Sequence, residues 1–134
     1  MLKLIDVNEQ NWLDIRRLSV RKDQEGFLDS AVGILARGYV YRSCHARVIG
    51  IANDDTVIGV ALVKSLDEEP ACYDLQQLMI DQQYQGRGYG TEALRMILAQ
   101  LEKMRAYDRV EVCVKKDDAS ALRVYEKVGF VDTG

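Results

Sequence analysis

At 134 residues the chain is long enough for one domain with a sizeable core, and 48% apolar with 29% charged residues is the balance of an ordinary soluble globular protein. A net charge of −3 and a pI near 5.2 exclude the broad basic face that general nucleic-acid binding needs. One histidine, and three cysteines with no C-x-x-C pair, exclude a His/Cys zinc constellation, and no apolar run approaches the ~18 residues of a membrane span.

In chain order, Met1 to Val7 is predicted as a short strand, and Asn8 as the cap of a helix that turns Trp12, Ile15 and Leu18 inward. A second helix runs between about Phe27 and Arg37, with Gly38 as its stop. Ala46 to Ala52 and Thr56 to Lys64 are strands joined through Asn53-Asp54-Asp55, a hairpin. The loop Ser65 to Pro70 leads into a strand from Cys72 to Ile80. Thr91 to Arg105 is the clearest helix, with Leu94, Ile97, Leu101 and Met104 at helical spacing. Arg109 to Lys115 alternates like a strand, and a helix around Tyr125 follows. The order β-α-α-β-β-β-α-β-α predicts an α/β domain with a mixed sheet.

Gln85-Gly86-Arg87-Gly88-Tyr89-Gly90-Thr91 lies between the apolar strand end Leu78-Met79-Ile80 and the helix beginning near Thr91. A strand, a glycine-rich turn and a helix start make an anion site, because the first helix amides lack partners and glycines let a phosphate approach the backbone. The plainer alternative is a tight strand–helix connection. A dinucleotide fingerprint fails, since its third glycine falls on Thr91 counted from Gly86 and on Ala93 counted from Gly88; no G-K-[ST] triplet completes a Walker loop. The spacing present is Q-x-x-G-x-G, from Gln85 through Gly88 to Gly90. Downstream, Asp118-Ala119-Ser120-Ala121-Leu122-Arg123-Val124-Tyr125-Glu126-Lys127-Val128-Gly129-Phe130 reads as a helix that Asp117 or Asp118 can cap and Gly129 can end, with Ala121 and Tyr125 on one face.

The first motif resembles the acyl-CoA loop of the GNAT acetyltransferase superfamily, and the second resembles that family's N-x-x-A-x-x-x-Y-E-K-x-G-F helix. They occur in the family's order, and the resemblance covers nearly the whole chain. It implies a single acetyltransferase domain over 1–134, with a mixed, mostly antiparallel central sheet flanked by helices and with acetyl-CoA as cosubstrate. The CoA pyrophosphate would lie on the backbone amides of Gln85 through Thr91, with Arg87 adding charge and Tyr89 acting through its amide more than its ring. Leu78, Met79 and Ile80 would keep their side chains in the core while their backbone pairs with the pantetheine arm like an added strand. Tyr125 is the residue that the family commonly uses to protonate the departing thiolate; the alternative is a tyrosine that only packs. Asp118 stands where the family has asparagine, beside Ala121, and either contacts the cofactor or only caps the helix. One departure is that nothing follows Gly134, where relatives continue into a further strand. Either the sequence stops short or another chain supplies that edge, as a homodimer would.

A protonated alkylamine, pKa near ~10, must lose its proton before it attacks. The candidate bases are Asp74, Glu25, Glu68 and Glu69, or a water chain ending at a backbone carbonyl. No activating neighbour is evident for Cys44, Cys72 or Cys113, which favours direct transfer over a covalent intermediate. Ser65 to Asp81 holds Asp67, Glu68, Glu69, Asp74 and Asp81 and no lysine or arginine, which suits a polycationic acceptor or simply solubility. The run from Leu18 to Ser30, with Tyr39 and Tyr41 beyond it, is similar to the bacterial spermine/spermidine acetyltransferase branch. That resemblance implies Glu25, Asp29 and Tyr41 as substrate contacts. The expectation is an acetyl-CoA-dependent N-acetyltransferase of a polyamine or other small primary amine; the alternatives are a protein amino-terminal or lysine acetyltransferase and a non-catalytic CoA-binding module. No metal, nucleic acid or membrane is expected, and an odd number of cysteines with no C-x-x-C pair, together with an amino terminus that lacks a signal-peptide pattern, points to the cytoplasm.

Overall fold

The computed structural model describes residues 1–67 and 69–133. Five strands, β1 (Leu2–Asp6), β2 (Arg47–Asn53), β3 (Thr56–Leu66), β4 (Cys72–Ile80) and β5 (Val110–Glu111), lie side by side in chain order. The first four pair antiparallel, and β5 joins β4 in parallel. β3 owes its central place to its composition: Ile58 through Leu62 are fully buried on both faces of the sheet, so the run is apolar without interruption. Its side chains still alternate. Val60 and Leu62 pack towards α1 (Trp12–Arg16) and α2 (Ala31–Val40), against Ile15 and Ile34. Ala61 and Val63 pack towards α3 (Tyr89–Met104), against Leu94, Ile97 and Leu101. Burying each of those large α3 side chains stabilises the fold by about 2 kcal/mol. α4 (Ala119–Val128) lies on the same side and adds Val124, Tyr125 and Val128 at the edge of that core.

A bulge in β4 shapes everything that follows. Leu62 pairs with Gln77 and Val63 with Leu75, leaving Gln76 without a β3 partner. In a regular strand Leu75 and Met79, four apart, would share a face; the extra residue reverses the parity, so Leu75 packs on the α3 side and Met79 on the α1–α2 side.

Several sequence expectations need correction. α1 has only five residues, and Trp12 is 41% exposed beneath the Arg16 guanidinium, while Ile15 and Leu18 are buried as expected. α2 starts later, where the Ser30 hydroxyl accepts from the Gly33 amide at 3.0 Å, and it does not stop at Gly38. A Cβ there would stand 2.5 Å from Val48 Cγ2, so this glycine permits close packing of α2 on β2. Met104, in the last turn of α3, is 55% exposed. β5 keeps only two of the seven residues expected, because the chain leaves β4 after Glu111. Among the described residues no strand follows α4, and no helix is long and apolar enough to cross a membrane.

Candidate active site

The departure of β5 opens the site. Tyr73 and Asp74 pair with Val110 and Glu111, and beyond them the strands diverge around a cavity of about 960 Å³. Gln76, Gln77, Leu78 and Ile80 line it from β4, and Cys113, Val114 and Lys115 from the segment after β5. Its size falls in the range of small-molecule sites, ~300–1,000 Å³. Met79 does not reach it; its side chain is buried between β4 and α1–α2, so only its backbone could meet a ligand.

The glycine-rich turn closes one end. Asp81, 8% exposed, anchors the approach: its carboxylate accepts from the Ser19 amide at 2.9 Å and the Gln83 amide at 3.1 Å. The Gln85 side chain is a latch, donating to the Ile80 carbonyl at 2.9 Å and to Gln24 Oε1 at 3.0 Å. Gly86 and Gly88 follow with φ of +79° and +82°, and a Cβ on either would project into open space. Gly88 is also the N-cap of α3, with no side-chain cap, so the amides of Tyr89, Gly90 and Thr91 stand without intrahelical partners at the cavity wall. The Tyr89 hydroxyl accepts from Asn53 Nδ2 at 3.2 Å, which leaves its amide as the group available there. Arg87 lies outside this wall, its guanidinium 5.8 Å from the Tyr84 ring centre. The cations that do line the cavity, Arg21, Lys115, Arg123 and Lys127, were not singled out from the sequence. Lys115 donates to the Gly26 carbonyl at 2.6 Å and Arg21 pairs with Asp23, whereas Arg123 and Lys127, one turn apart on α4, have no ion pair among the described residues.

α4 brings Tyr125 to the same cavity. Of the two aspartates that could cap it, Asp118 does so, accepting from the Ala121 amide at 3.3 Å. Gly129, at φ +112°, ends the helix and turns Phe130 back to pack edge-on against the Tyr125 ring at 5.4 Å. Burial, and secondarily the negative charge of Asp118, push the Tyr125 hydroxyl up to about 12. It therefore keeps its proton at any physiological pH.

The residues expected on the acceptor side do not line the cavity. Asp74 pairs with Lys64 at 3.3 Å with both side chains largely buried, and that ammonium lies 5.4 Å from the Tyr41 ring centre. Neither Asp74 nor Tyr41 lines the cavity. Asp29 accepts from Arg37 Nε at 2.8 Å and from the Ser30 amide at 2.8 Å. Glu25 and Glu69 are exposed and outside the wall, and Glu68 lies outside the described residues. Among the described residues Asp118 is the one acidic side chain on the cavity wall. Phe27, Leu28, Gln76 and Gln77 line the cavity instead. The sequence did carry a signal for the last two: adjacent polar residues between Leu75 and Leu78 break the two-residue period of a strand.

The model of the Acetyltransferase (GNAT) family matches residues 10–130. The spermine/spermidine N(1)-acetyltransferase of Bacillus subtilis (strain 168) is 24% identical over 138 residues, spanning 96% of this chain and 86% of that protein. The N-alpha-acetyltransferase RimI of Mycobacterium tuberculosis is 31% identical over 93 residues, 69% of this chain and 56% of that one. Among solved structures, spermidine N-acetyltransferase from Vibrio cholerae in complex with CoA and spermine superposes with a TM-score of 0.78 at 16% identity, covering 99% of this chain and 82% of the other. That family match takes in the turn, the divergent strands and the Tyr125 helix together, and the chain belongs to the GNAT family of acetyltransferases, which use acetyl-CoA.

Proposed function

We propose that the protein transfers acetyl directly from acetyl-CoA to the nitrogen of a small primary amine. One observation carries this reading: a single cavity joins the unpartnered amides of the Gly86–Thr91 turn to a phenol that holds its proton. The donor supplies an acetyl group activated as a thioester. The turn would hold the pyrophosphate, with Arg123 and Lys127 facing phosphate charge. Leu78 and Ile80 offer backbone along the gap left by β5, where an extended pantetheine arm could lie as an added strand. Tyr125 would protonate the departing sulfur. Asp74 is unsuited to act as base while it neutralises Lys64. Asp118 is held as a helix cap beside Tyr125, so the amine would shed its proton to solvent before attack.

Polyamines such as spermidine and spermine are the acceptor class that the likeness to the Bacillus enzyme supports. A second reading, an amine that carries a neighbouring carbonyl, is favoured by the pairing of Asp29 and Asp74 within the chain, which leaves few carboxylates for ammonium groups. The test is release of free CoA thiol from acetyl-CoA in the presence of a panel of amines. Amine-dependent release is expected. Binding of acetyl-CoA without release for any amine would instead identify a CoA-binding module.

A further inference from the structure

The two glutamines at the β4 bulge are oriented by groups that can only donate. Arg37 Nη1 donates to Gln76 Oε1 at 3.0 Å, and the Asp29 backbone amide donates to Gln77 Oε1 at 3.0 Å. A guanidinium and a peptide N–H have no acceptor capacity, so neither side-chain amide can be flipped without losing its bond. Asp29 locks the arrangement from behind, its carboxylate gripping Arg37 Nε at 2.8 Å. Both oxygens are therefore occupied, and neither Nε2 has a partner among the described residues. No side-chain nitrogen or oxygen among those residues is both sealed and unsatisfied, so both NH₂ groups reach open space, and the space that both residues line is the cavity. Taken as the acceptor end, this part of the cavity presents hydrogen-bond donors. A polyammonium chain needs the opposite, oxygens or carboxylates, and among the described residues the one acidic side chain on the cavity wall is Asp118.

We infer that Gln76 and Gln77 are specificity-determining residues that select an amine bearing a carbonyl or carboxylate oxygen beside the nucleophilic nitrogen, the chemistry of an amino acid, an amino-acid amide or a peptide amino terminus. This rests on the amine-acetyltransferase reading above. The bulge serves the selection: the extra residue places two consecutive side chains at the acceptor end, where a regular strand would send one to each face.

The test is steady-state kinetics on the full chain with alaninamide, an alanine-initiated tetrapeptide, a carbonyl-free alkylamine of matched size and spermidine. kcat/KM for the carbonyl-bearing amines is expected to exceed that for the alkylamine and for spermidine by about tenfold or more. The alaninamide and tetrapeptide arms distinguish a small-molecule source from a peptide. Gln76→Glu and Gln77→Glu keep an oxygen for Arg37 and for the Asp29 amide, remove the donors and add negative charge. Each should cut the carbonyl preference about tenfold through acceptor KM, raise relative use of spermidine, and leave acetyl-CoA affinity and melting temperature unchanged. Equal or better use of spermidine by the wild type, or a preference that the two variants do not move, would overturn the inference while leaving the acetyltransferase reading intact. Absence of turnover with every amine would overturn both.

Discussion

The two halves of the cavity, which we propose hold donor and acceptor, are built on different principles. The donor half is mostly backbone: amides at the start of α3, two glycines at positive φ, and strand edges exposed where β5 leaves β4. The acceptor half is side chains held by distant partners: the Arg37 guanidinium holds Gln76 across 39 residues of sequence, and the Asp29 backbone amide holds Gln77 across 48. Backbone geometry is encoded by a few consecutive residues, so a donor site can persist while its surroundings change. A side-chain network changes its chemistry with a single substitution. The difference teaches that the donor half states the reaction type and the acceptor half states the substrate.

The comparison can be broken most sharply at Tyr125. Tyr125→Phe should lower kcat by about 10²-fold or more while acetyl-CoA binding is retained, as judged by calorimetry. Because the fold holds this proton to about 12, the wild-type rate should show no loss from phenol ionisation near pH 10. The unfolded phenol ionises near ~10 and the folded one only near 12, so this contribution to stability is fully present below pH 10 and declines as pH rises towards 12. Tyr125→Phe should lack that decline in alkaline denaturation curves.

Next in size is Gly88→Val. A β-branched residue at φ +82° is strained, and its side chain would project into the space in front of the free amides. Acetyl-CoA affinity should fall about tenfold or more, with acceptor discrimination unchanged among the residual turnover. Lys127→Ala should weaken acetyl-CoA binding only about threefold and reduce its salt dependence, since an exposed cation is screened. The smallest effect on activity belongs to Asp74→Asn. It should leave kcat/KM unchanged and cost about 1–2 kcal/mol of stability in denaturant titration, because Lys64 would remain largely buried without its counter-charge. A collapse of activity with a bell-shaped pH profile lost would instead restore Asp74 as a base.

The same contrast explains what the sequence disclosed. The Gln85–Thr91 turn and the Asp118–Phe130 helix are local, so consecutive residues carry both the turn and helix signals and the family resemblance, and β4 runs from Cys72 to Ile80 as expected. Gln85 was legible as a position but not in its role, because its partner Gln24 is 61 residues away. Asp29, Asp74 and Tyr41 looked like free polar groups because nothing in their neighbourhoods announces Arg37 or Lys64 as partners. Arg123 and Lys127 were hidden for a similar reason: on an amphipathic helix they read as a solvated face until β5 leaves β4 and the cavity opens beside them. The length of β5 depended on that divergence as well, which strand periodicity does not record.

The most direct measurement is an amide NMR titration of the isotope-labelled protein with acetyl-CoA. The largest shifts should fall on Gly86 through Thr91, on Leu78 to Ile80 and around Asp118 to Tyr125, with Asp74 and Tyr41 unmoved. Saturable binding that shifts Asp74, Lys64 and Tyr41 while leaving the Gly86–Thr91 amides in place would contradict the assignment of the donor site.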